Sequence, residues 1–314
     1  MIAPLALALV VLAKEPPIEA FAPDGGRVPT VAPRAVDEFS PLLAPERKPD
    51  GGVVVVPAPS LSVYTVDLPV EIAATAGSLA LLAVVNFLIT PTLGIDVECK
   101  TPTEGGYCDP ADLTSFDRYA VGRSSPGWDT FSDIALATAV LLPVGYLGLE
   151  SIVLPTKTPW RDFAGDLLIV TEAIAMASAF QLVLKFAFQR PRPDQYTPEG
   201  SLTDFDQTLS FPSGHVTLVA VSTTALTTTI FFRHPKSPLR WVALGAGAAL
   251  TGLTAFARVE GGNHFPSDVL IGSCLGAFSG FVVPYFHRKK LPVMPTGSFN
   301  PATRAPTVGI QGTF

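Results

Sequence analysis

Near the end of the chain, Arg258, His264 and Asp268 follow one another at spacings of six and four residues, between two apolar segments. His264 and Asp268 stand at the start of a helical segment, so a spacing of four allows both to lie on one helix face. A carboxylate beside an imidazole fixes its tautomer and stabilises the imidazolium that forms on attack. His264 is therefore a candidate nucleophile toward phosphorus.

Two more cationic side chains stand at another boundary between apolar and polar sequence. Lys185 closes an earlier apolar segment, and Arg192-Pro193 follows it. With Arg258, these residues supply three positive charges, which suit a phosphate-like dianion better than a carboxylate. Taken alone, Lys185 and Arg192 could also extend to lipid head groups from the end of a helix. The clusters together favour a shared phosphate-binding pocket.

The tetrapeptide Pro212-Ser213-Gly214-His215 opens the next apolar segment. The backbone N–H groups of Ser213 and Gly214 precede a helix, where they would add donors for an anion. His215 is then available as the general acid for the leaving oxygen. The two histidines predict a two-step displacement in which a phosphohistidine forms and water hydrolyses it. We expect no metal or other cofactor, because neither a Walker loop nor an acidic cluster accompanies these residues.

The elements that must position these residues are apolar segments of membrane-spanning length. The chain of 314 residues is 48% hydrophobic and 15% charged, against roughly a quarter charged in a soluble domain. A net charge of −6 without a basic stripe argues against nucleic-acid binding. Six segments approach the ~20 residues that cross a bilayer, at 68–90, 130–149, 163–187, 214–232, 240–257 and 267–287. The sequence therefore predicts an all-α bundle of six transmembrane helices; the alternative is a soluble domain with unusually apolar helices.

Both ends of the chain differ from this body in composition. Residues 1–66 contain a short apolar run at 1–13 that resembles a secretory signal, followed by a Pro- and Gly-rich extension. Residues 291–314 form a second Pro- and Gly-rich tail. We predict that both tails are poorly ordered and that residues 67–290 form the six-helix membrane domain. Weak strand patterns at 53–56 and 307–314 would allow the tails to pair.

Charge bias and cysteine placement favour one orientation in the membrane. The loops after the second and fourth spans and the stretch after the sixth hold most of the basic residues that are not assigned to the pocket, which places the pocket outside the cytoplasm. Cys99 and Cys108 lie on the pocket side, where they could form a disulfide or remain unpaired. A cleaved signal at 1–13 would reverse this orientation. We follow the charge bias and expect a bacterial inner-membrane protein with a periplasmic active site.

Several polar residues allow two interpretations. Asp117, Arg118, Asp129 and Asp133 border the second span, where they form either an interfacial segment over the pocket or structural caps and ion pairs. Arg190 offers a second Arg-Pro at the wrong spacing, so we predict a head-group contact or a solvated charge.

The three clusters resemble the signature of the type 2 phosphatidic acid phosphatase superfamily, which shares its core with vanadium haloperoxidases and bacterial class A acid phosphatases. The family pattern is Lys, six residues, Arg-Pro; then Pro-Ser-Gly-His; then Ser-Arg, five residues, His, three residues, Asp. The chain meets all three spacings and departs only at Ala257, where the family usually has Ser. The resemblance implies a six-helix core over about 68–287, with the following roles: nucleophile His264, orienting partner Asp268, acid His215, and phosphate ligands Lys185, Arg192, Ser213, Gly214 and Arg258.

The function implied is that of an integral-membrane phosphatase that hydrolyses a lipid phosphomonoester or pyrophosphate. Its predicted partners are this lipid substrate and the surrounding bilayer. The sequence leaves the lipid and the oligomeric state open. Three alternatives use the same core: a soluble periplasmic acid phosphatase, a vanadium haloperoxidase, and a non-catalytic protein that binds or transports a lipid phosphate.

Overall fold

The structure is a computed structural model, and it describes residues 62–84, 99–154, 158–198, 209–289, 294–300 and 305–311. The predicted signal-like run at 1–13 and the strand pattern at 53–56 lie outside these residues.

The described residues of the body contain seven helices: α1 (Leu68–Val84), α2 (Ser115–Arg118), α3 (Pro126–Val153), α4 (Pro159–Phe188), α5 (Gly214–Arg233), α6 (Leu239–Glu260) and α7 (Pro266–Phe286). Single 3-10 turns occur at Pro110–Asp112 and Pro193–Tyr196. Helices α3 to α7 are each long and apolar enough to cross a membrane, which confirms five of the six predicted spans. Within the described residues α1 has 17 residues, fewer than the ~20 of a crossing helix, so the count of six is not confirmed.

Helices α3 and α4 start four residues earlier than the apolar pattern predicted. Helices α3, α4 and α7 each begin with a proline, whose fixed φ and missing N–H suit the first helical position. The predicted starts of α3 and α4, at 130 and 163, follow these prolines by four residues because the first turn of each helix is polar. This extra turn places Asp129 and Asp133 of α3 on a continuous helix.

Helix α5 is the centre of the bundle. Of its apolar stretch 72% is buried, against 22–39% for the other four spanning helices. Helix α7 packs directly on its backbone through three glycines, Gly272, Gly276 and Gly280, spaced four residues apart. A Cβ on Gly272 would lie 2.8 Å from the carbonyl oxygen of Ser213, and one on Gly280 would lie 2.6 Å from that of Val221. Small residues at this spacing let two membrane helices approach closely.

The segment before α1 belongs to the helical body. Tyr64 is 1% exposed, and its hydroxyl lies 2.7 Å from the Thr229 hydroxyl. Tyr64 also forms a β-bridge with Arg288, just beyond α7. Residues 62–66, which the prediction assigns to the N-terminal extension, are therefore anchored to the bundle by a buried tyrosine.

The C-terminal tail contains the antiparallel strands β1 (Met294–Asn300) and β2 (Ala305–Gln311), which pair with each other. The strand pattern predicted from residue 307 falls in β2. The body is all-helical as predicted, and the hairpin is an addition that the all-α prediction omitted.

Candidate functional site

A cavity of about 390 Å³ opens where five helix ends meet. These are the starts of α3, α5 and α7 and the ends of α4 and α6. We call this end of the bundle the cavity end. The end at which α5 and α7 finish is called the opposite end. The lining consists of Asp129, Asp133, Lys185, Arg192, Gly214, His215, Arg258, Asn263 and His264. Six of the eight residues predicted for catalysis and phosphate binding thus share one cavity; Ser213 and Asp268 do not line it.

His264 is held in one tautomer by the backbone. Its side chain is 2% exposed, and its Nδ1 lies 2.8 Å from the carbonyl oxygen of Ser210. A carbonyl oxygen only accepts, so Nδ1 carries the proton and Nε2 keeps the lone pair. Burial, together with the positive charges of Arg192 and Arg258, lowers the pKa of His264 to about 3. The imidazole is therefore neutral over the physiological range, as a nucleophile must be.

Asp268 reaches His264 through an intermediate. His264 Nδ1 and Asp268 Oδ2 are 3.9 Å apart, too far for a direct hydrogen bond. The Ser210 hydroxyl donates to Asp268 Oδ2 at 2.5 Å, while the Ser210 carbonyl accepts from His264. Asp268 also accepts from the backbone N–H of Phe265 at 2.9 Å, which fixes the first turn of α7. Ser210 was missed because its spacing from the other motif residues carries no signal.

Arg190 lies behind the cavity, in a set of charge-assisted hydrogen bonds. Its Nη1 donates to Asp268 Oδ1 at 2.6 Å and to the Ser267 hydroxyl at 2.7 Å. Its Nη2 donates to Asp117 Oδ2 at 2.9 Å, and its guanidinium stacks on the Phe265 ring at 4.1 Å. The prediction of a head-group contact or solvated charge is wrong, because both terminal nitrogens of the guanidinium, Nη1 and Nη2, are paired with carboxylates.

Asp117 belongs to the segment 99–125, which packs on the cavity end. Asp117 is 5% exposed and accepts from the backbone N–H of Ser267 at 3.0 Å. The same segment contains a disulfide between Cys99 and Cys108, whose Cα atoms are 5.1 Å apart. The Cys108 N–H donates to the Gln195 carbonyl at 2.9 Å, which ties this segment to the turn after Arg192. Of the two interpretations left open for Asp117, the structure has the ion pair.

Arg258 is fixed by the first turns of α3. It is 5% exposed, and its Nη1 donates to Asp129 Oδ1 at 2.6 Å and to the Ser132 hydroxyl at 3.1 Å. The Asn263 amide donates to the same Asp129 oxygen at 2.9 Å. Asp129 therefore holds both the cation that ends α6 and the residue before His264.

His215 has a carboxylate partner of its own. Its Nε2 lies 2.8 Å from Asp133 Oδ1, and the Asp133 side chain is 60% exposed. Asp129 and Asp133 are four residues apart, so they share the face of α3 that looks onto the cavity. That spacing was visible in the sequence as the signal that both residues belong to the site.

The Ser-Gly pair behaves differently from the prediction. Gly214 lines the cavity, but Ser213 is completely buried and its N–H donates to the Asp268 carbonyl at 3.1 Å. The predicted role of the Ser213 N–H as a free anion donor is therefore wrong. The α5 start instead presents Gly214, where a Cβ would lie 2.8 Å from the Gln181 amide nitrogen.

Metal-ligand spacing occurs away from the cavity. Within the described part of the chain, Glu71, Glu172 and His287 have possible ligand atoms within 4.8 Å of one another. His287 Nε2 lies 3.0 Å from Glu71 Oε2 and 3.5 Å from Glu172 Oε2. These residues lie at the opposite end of the bundle, so they take no part in the cavity.

Residues 166–292 match the model of the PAP2 superfamily. The decaprenylphosphoryl-5-phosphoribose phosphatase of Mycobacterium tuberculosis is 30% identical over 167 residues, which cover 53% of this chain and 81% of that protein, in both the CDC 1551 / Oshkosh and the H37Rv strains. The chain belongs to the PAP2 superfamily.

Two solved structures of PAP2-type proteins are similar at 21% identity. The transmembrane phosphatidylglycerolphosphate phosphatase of Bacillus subtilis matches with a TM-score of 0.42, over 69% of this chain and 94% of its own. LpxE of Aquifex aeolicus matches with a TM-score of 0.37, over 55% of this chain and 96% of its own.

Membership in the superfamily and five membrane-spanning helices identify the chain as an integral-membrane lipid phosphatase, a hydrolase of phosphoric esters. The residues predicted from the three sequence motifs line the cavity, except Ser213 and Asp268, which lie behind it.

Proposed function

We propose that this PAP2 protein hydrolyses a lipid phosphomonoester or pyrophosphate through a phosphohistidine on His264, without a metal. The observation that carries the proposal is the contact of 2.8 Å between His264 Nδ1 and the Ser210 carbonyl oxygen, which assigns the proton to Nδ1. It leaves the Nε2 lone pair for a phosphorus atom bound among Lys185, Arg192 and Arg258.

In the first step, His264 Nε2 attacks phosphorus and the bond to the leaving oxygen breaks. The three cations and the Gly214 N–H stabilise the negative charge that develops on the equatorial oxygens. His215 enters this step as the imidazolium. Its Nε2 proton, which lies against Asp133 Oδ1, is transferred to the leaving oxygen, so that an alcohol or a phosphate departs rather than its anion. The positive charge that develops on His264 is stabilised by Ser210 and Asp268.

In the second step, water attacks the phosphorus of the phosphohistidine. His215, now neutral, accepts a proton from this water, and the N–P bond breaks. Inorganic phosphate forms, His264 regains its lone pair, and His215 regains its proton. The cycle is balanced without a metal-bound nucleophile.

Arg190 and Asp117 are positioning residues in this proposal. Arg190 bonds to Asp268 and to Asp117, and Asp268 reaches His264 through Ser210. These contacts fix the first turn of α7 against the segment 99–125, and thereby the direction of the His264 ring. Neither residue lines the cavity.

The location of the cavity supports a lipid substrate, because five helix ends meet at head-group depth. The charge bias and the Cys99–Cys108 disulfide support a periplasmic active site in a bacterial inner membrane. The relative from Mycobacterium tuberculosis adds polyprenylphosphoryl pentose 5-phosphates to the substrates worth testing, beside phosphatidic acid, phosphatidylglycerophosphate, polyprenyl pyrophosphates and lipid A phosphates.

The test is phosphate release by detergent-purified protein from this panel, in the presence of a chelator. We expect release by the wild type and at least a 1000-fold loss in His264→Gln, since a missing nucleophile removes the covalent route. His287→Gln at the opposite end is the matched control. It should retain activity per folded molecule.

The intermediate is tested with His215→Asn and an aryl phosphate labelled with ³²P. An aryl leaving group needs little protonation, so the first step proceeds while the second lacks its base. We expect acid-labile label on His264 that is absent from a His215→Asn/His264→Gln double variant. Release that requires an added metal ion, or that survives in His264→Gln, would contradict the proposal.

A further inference from the structure

Two carboxylates line a cavity that otherwise suits an anion. The side chains of Asp129 and Asp133 are 46% and 60% exposed, and both face a space built around three cations. A phosphate dianion offers only acceptor oxygens, and a carboxylate does the same. Each carboxylate therefore repels the phosphate unless a hydrogen-bond donor lies between them.

Asp129 has its donors within the protein. Arg258 and Asn263 both donate to its Oδ1, at 2.6 and 2.9 Å. These contacts hold Arg258 in place for the phosphate, so Asp129 is explained as a partner of the phosphate-binding group.

Asp133 is only half explained by the protein. Its Oδ1 lies 2.8 Å from His215 Nε2, and within the described residues this is its one side-chain partner. The second oxygen, Oδ2, accepts no hydrogen bond there and belongs to the more exposed of the two carboxylates. A carboxylate has room for about four hydrogen bonds, so Asp133 retains unused acceptor capacity inside the cavity.

The position of Asp133 determines which part of the substrate it meets. His215 Nε2 is the atom that protonates the leaving oxygen, in the proposed function on which this inference rests. Asp133 contacts that same atom, so it stands on the leaving-group side of the phosphorus rather than beside the equatorial oxygens. A hydroxyl of the leaving group on the carbon next to the phosphorylated carbon would therefore lie beside Asp133.

We propose that Asp133 is a specificity-determining residue that accepts a hydrogen bond from a hydroxyl on the carbon adjacent to the phosphorylated one. The substrate class is then a lipid phosphomonoester of a polyol, such as a glycerol or a sugar with a free neighbouring hydroxyl. Diacyl phosphatidic acid lacks this hydroxyl. A pyrophosphate places a second anion opposite Asp133 and is disfavoured by repulsion.

The test uses two substrates that differ by this one hydroxyl: 1-oleoylglycerol 3-phosphate and its 2-deoxy analogue, 1-oleoyl-1,3-propanediol 3-phosphate. We expect the wild type to prefer the hydroxylated substrate by roughly 10-fold or more in kcat/KM, as for a hydrogen bond to a charged group. Asp133→Ala should bring the ratio of the two kcat/KM values to about one. Asp133→Asn, which keeps a neutral acceptor, should give an intermediate ratio.

Loss of the His215 contact gives a different result from loss of hydroxyl recognition. If Asp133 only orients His215, both variants lower kcat for the two substrates by the same factor, the ratio stays at its wild-type value, and the inference is overturned. A wild-type ratio near one overturns it as well. No release from either substrate or from the wider panel would instead refute the proposed phosphatase mechanism, which the His264→Gln comparison examines separately.

Discussion

The two ends of the bundle both contain a buried arginine at the end of a spanning helix, and they use it differently. At the opposite end, Arg233 is paired with Glu150 and Asp166, whose side chains are only 8% and 1% exposed. At the cavity end, Arg258 is paired with Asp129, whose side chain is 46% exposed. One arginine neutralises carboxylates in a closed interior, and the other faces a cavity that can admit an anion.

The comparison shows that a charge in an apolar helix does not mark a functional site by itself. A closed ion pair gives little net stability, because the cost of desolvating both groups offsets their attraction, but removing one partner leaves an uncompensated buried charge. An open ion pair keeps its carboxylate hydrated, so the arginine remains available to a ligand. Access to the cavity, and not burial of the arginine, distinguishes the two ends.

The largest expected effects come from the same substitution at the two ends, Arg258→Gln and Arg233→Gln. Removing Arg258 should lower kcat/KM by roughly 100- to 1000-fold, as for loss of a transition-state hydrogen-bond donor. Removing Arg233 should lower the free energy of unfolding by about 3–5 kcal/mol, because Glu150 and Asp166 lose their counter-charge. Phosphate release and thermal unfolding are measured on both variants; a fully active, destabilised Arg258→Gln would reverse the comparison.

A smaller effect is expected behind the cavity, at Arg190. Arg190→Gln should lower kcat by about 10- to 100-fold with little change in KM, because a misdirected nucleophile reacts slowly while the phosphate still binds. Arg190→Lys should recover only part of this loss, since one ammonium cannot reproduce a planar fork between Asp117 and Asp268.

Arg123→Gln is the matched control for Arg190. Arg123 Nη1 lies 2.5 Å from Glu260 Oε2, and the side chains of this pair are 32% and 16% exposed. Neither residue lines the cavity. Exposed pairs contribute little, so activity should stay close to wild type. Equal losses in the two arginine variants would argue that Arg190 supports the fold only.

The last test concerns the free energy of unfolding as a function of pH. His264 has a pKa of about 3 in the folded protein, against about 6.5 when unfolded, so between these values only the unfolded state binds the proton. Stability should therefore fall as pH decreases from about 6.5 toward 3, by at most about 1.4 kcal/mol per pH unit. Thermal unfolding from pH 4 to 8 should show a shallower slope in His264→Asn. An unchanged slope would exclude this source of acid sensitivity.

The residues recovered from the sequence are those at which composition and spacing coincide with a helix end. Lys185, His215, Arg258 and His264 were found because charge in an apolar segment is costly and therefore conspicuous. Five spans were found for the same reason, since length and hydropathy suffice for a lipid-facing helix.

The residues missed are those whose partners are distant in the chain. Ser210 contacts His264 through its carbonyl, a group that every residue has. Arg190 resembles Arg192 in its local sequence, and only the positions of Asp117 and Asp268 separate a positioning role from a surface role. For Asp133 the sequence left open whether it lies over the pocket or acts as a cap or ion pair, because its partner His215 is 82 residues away in the chain.

The glycines of α7 fix a distance as well as a contact. Helix α5 carries His215 in its first turn, and His264 lies two residues before α7, so the distance between acid and nucleophile depends on how closely these two helices pack. Because the backbones of the two helices are in van der Waals contact at Gly272, Gly276 and Gly280, no adjustable side chain of α7 separates them there. The residues on the lipid-facing sides of α3, α4 and α6 can then change in sequence to accommodate other lipid tails, while the distance between the two imidazoles stays constant.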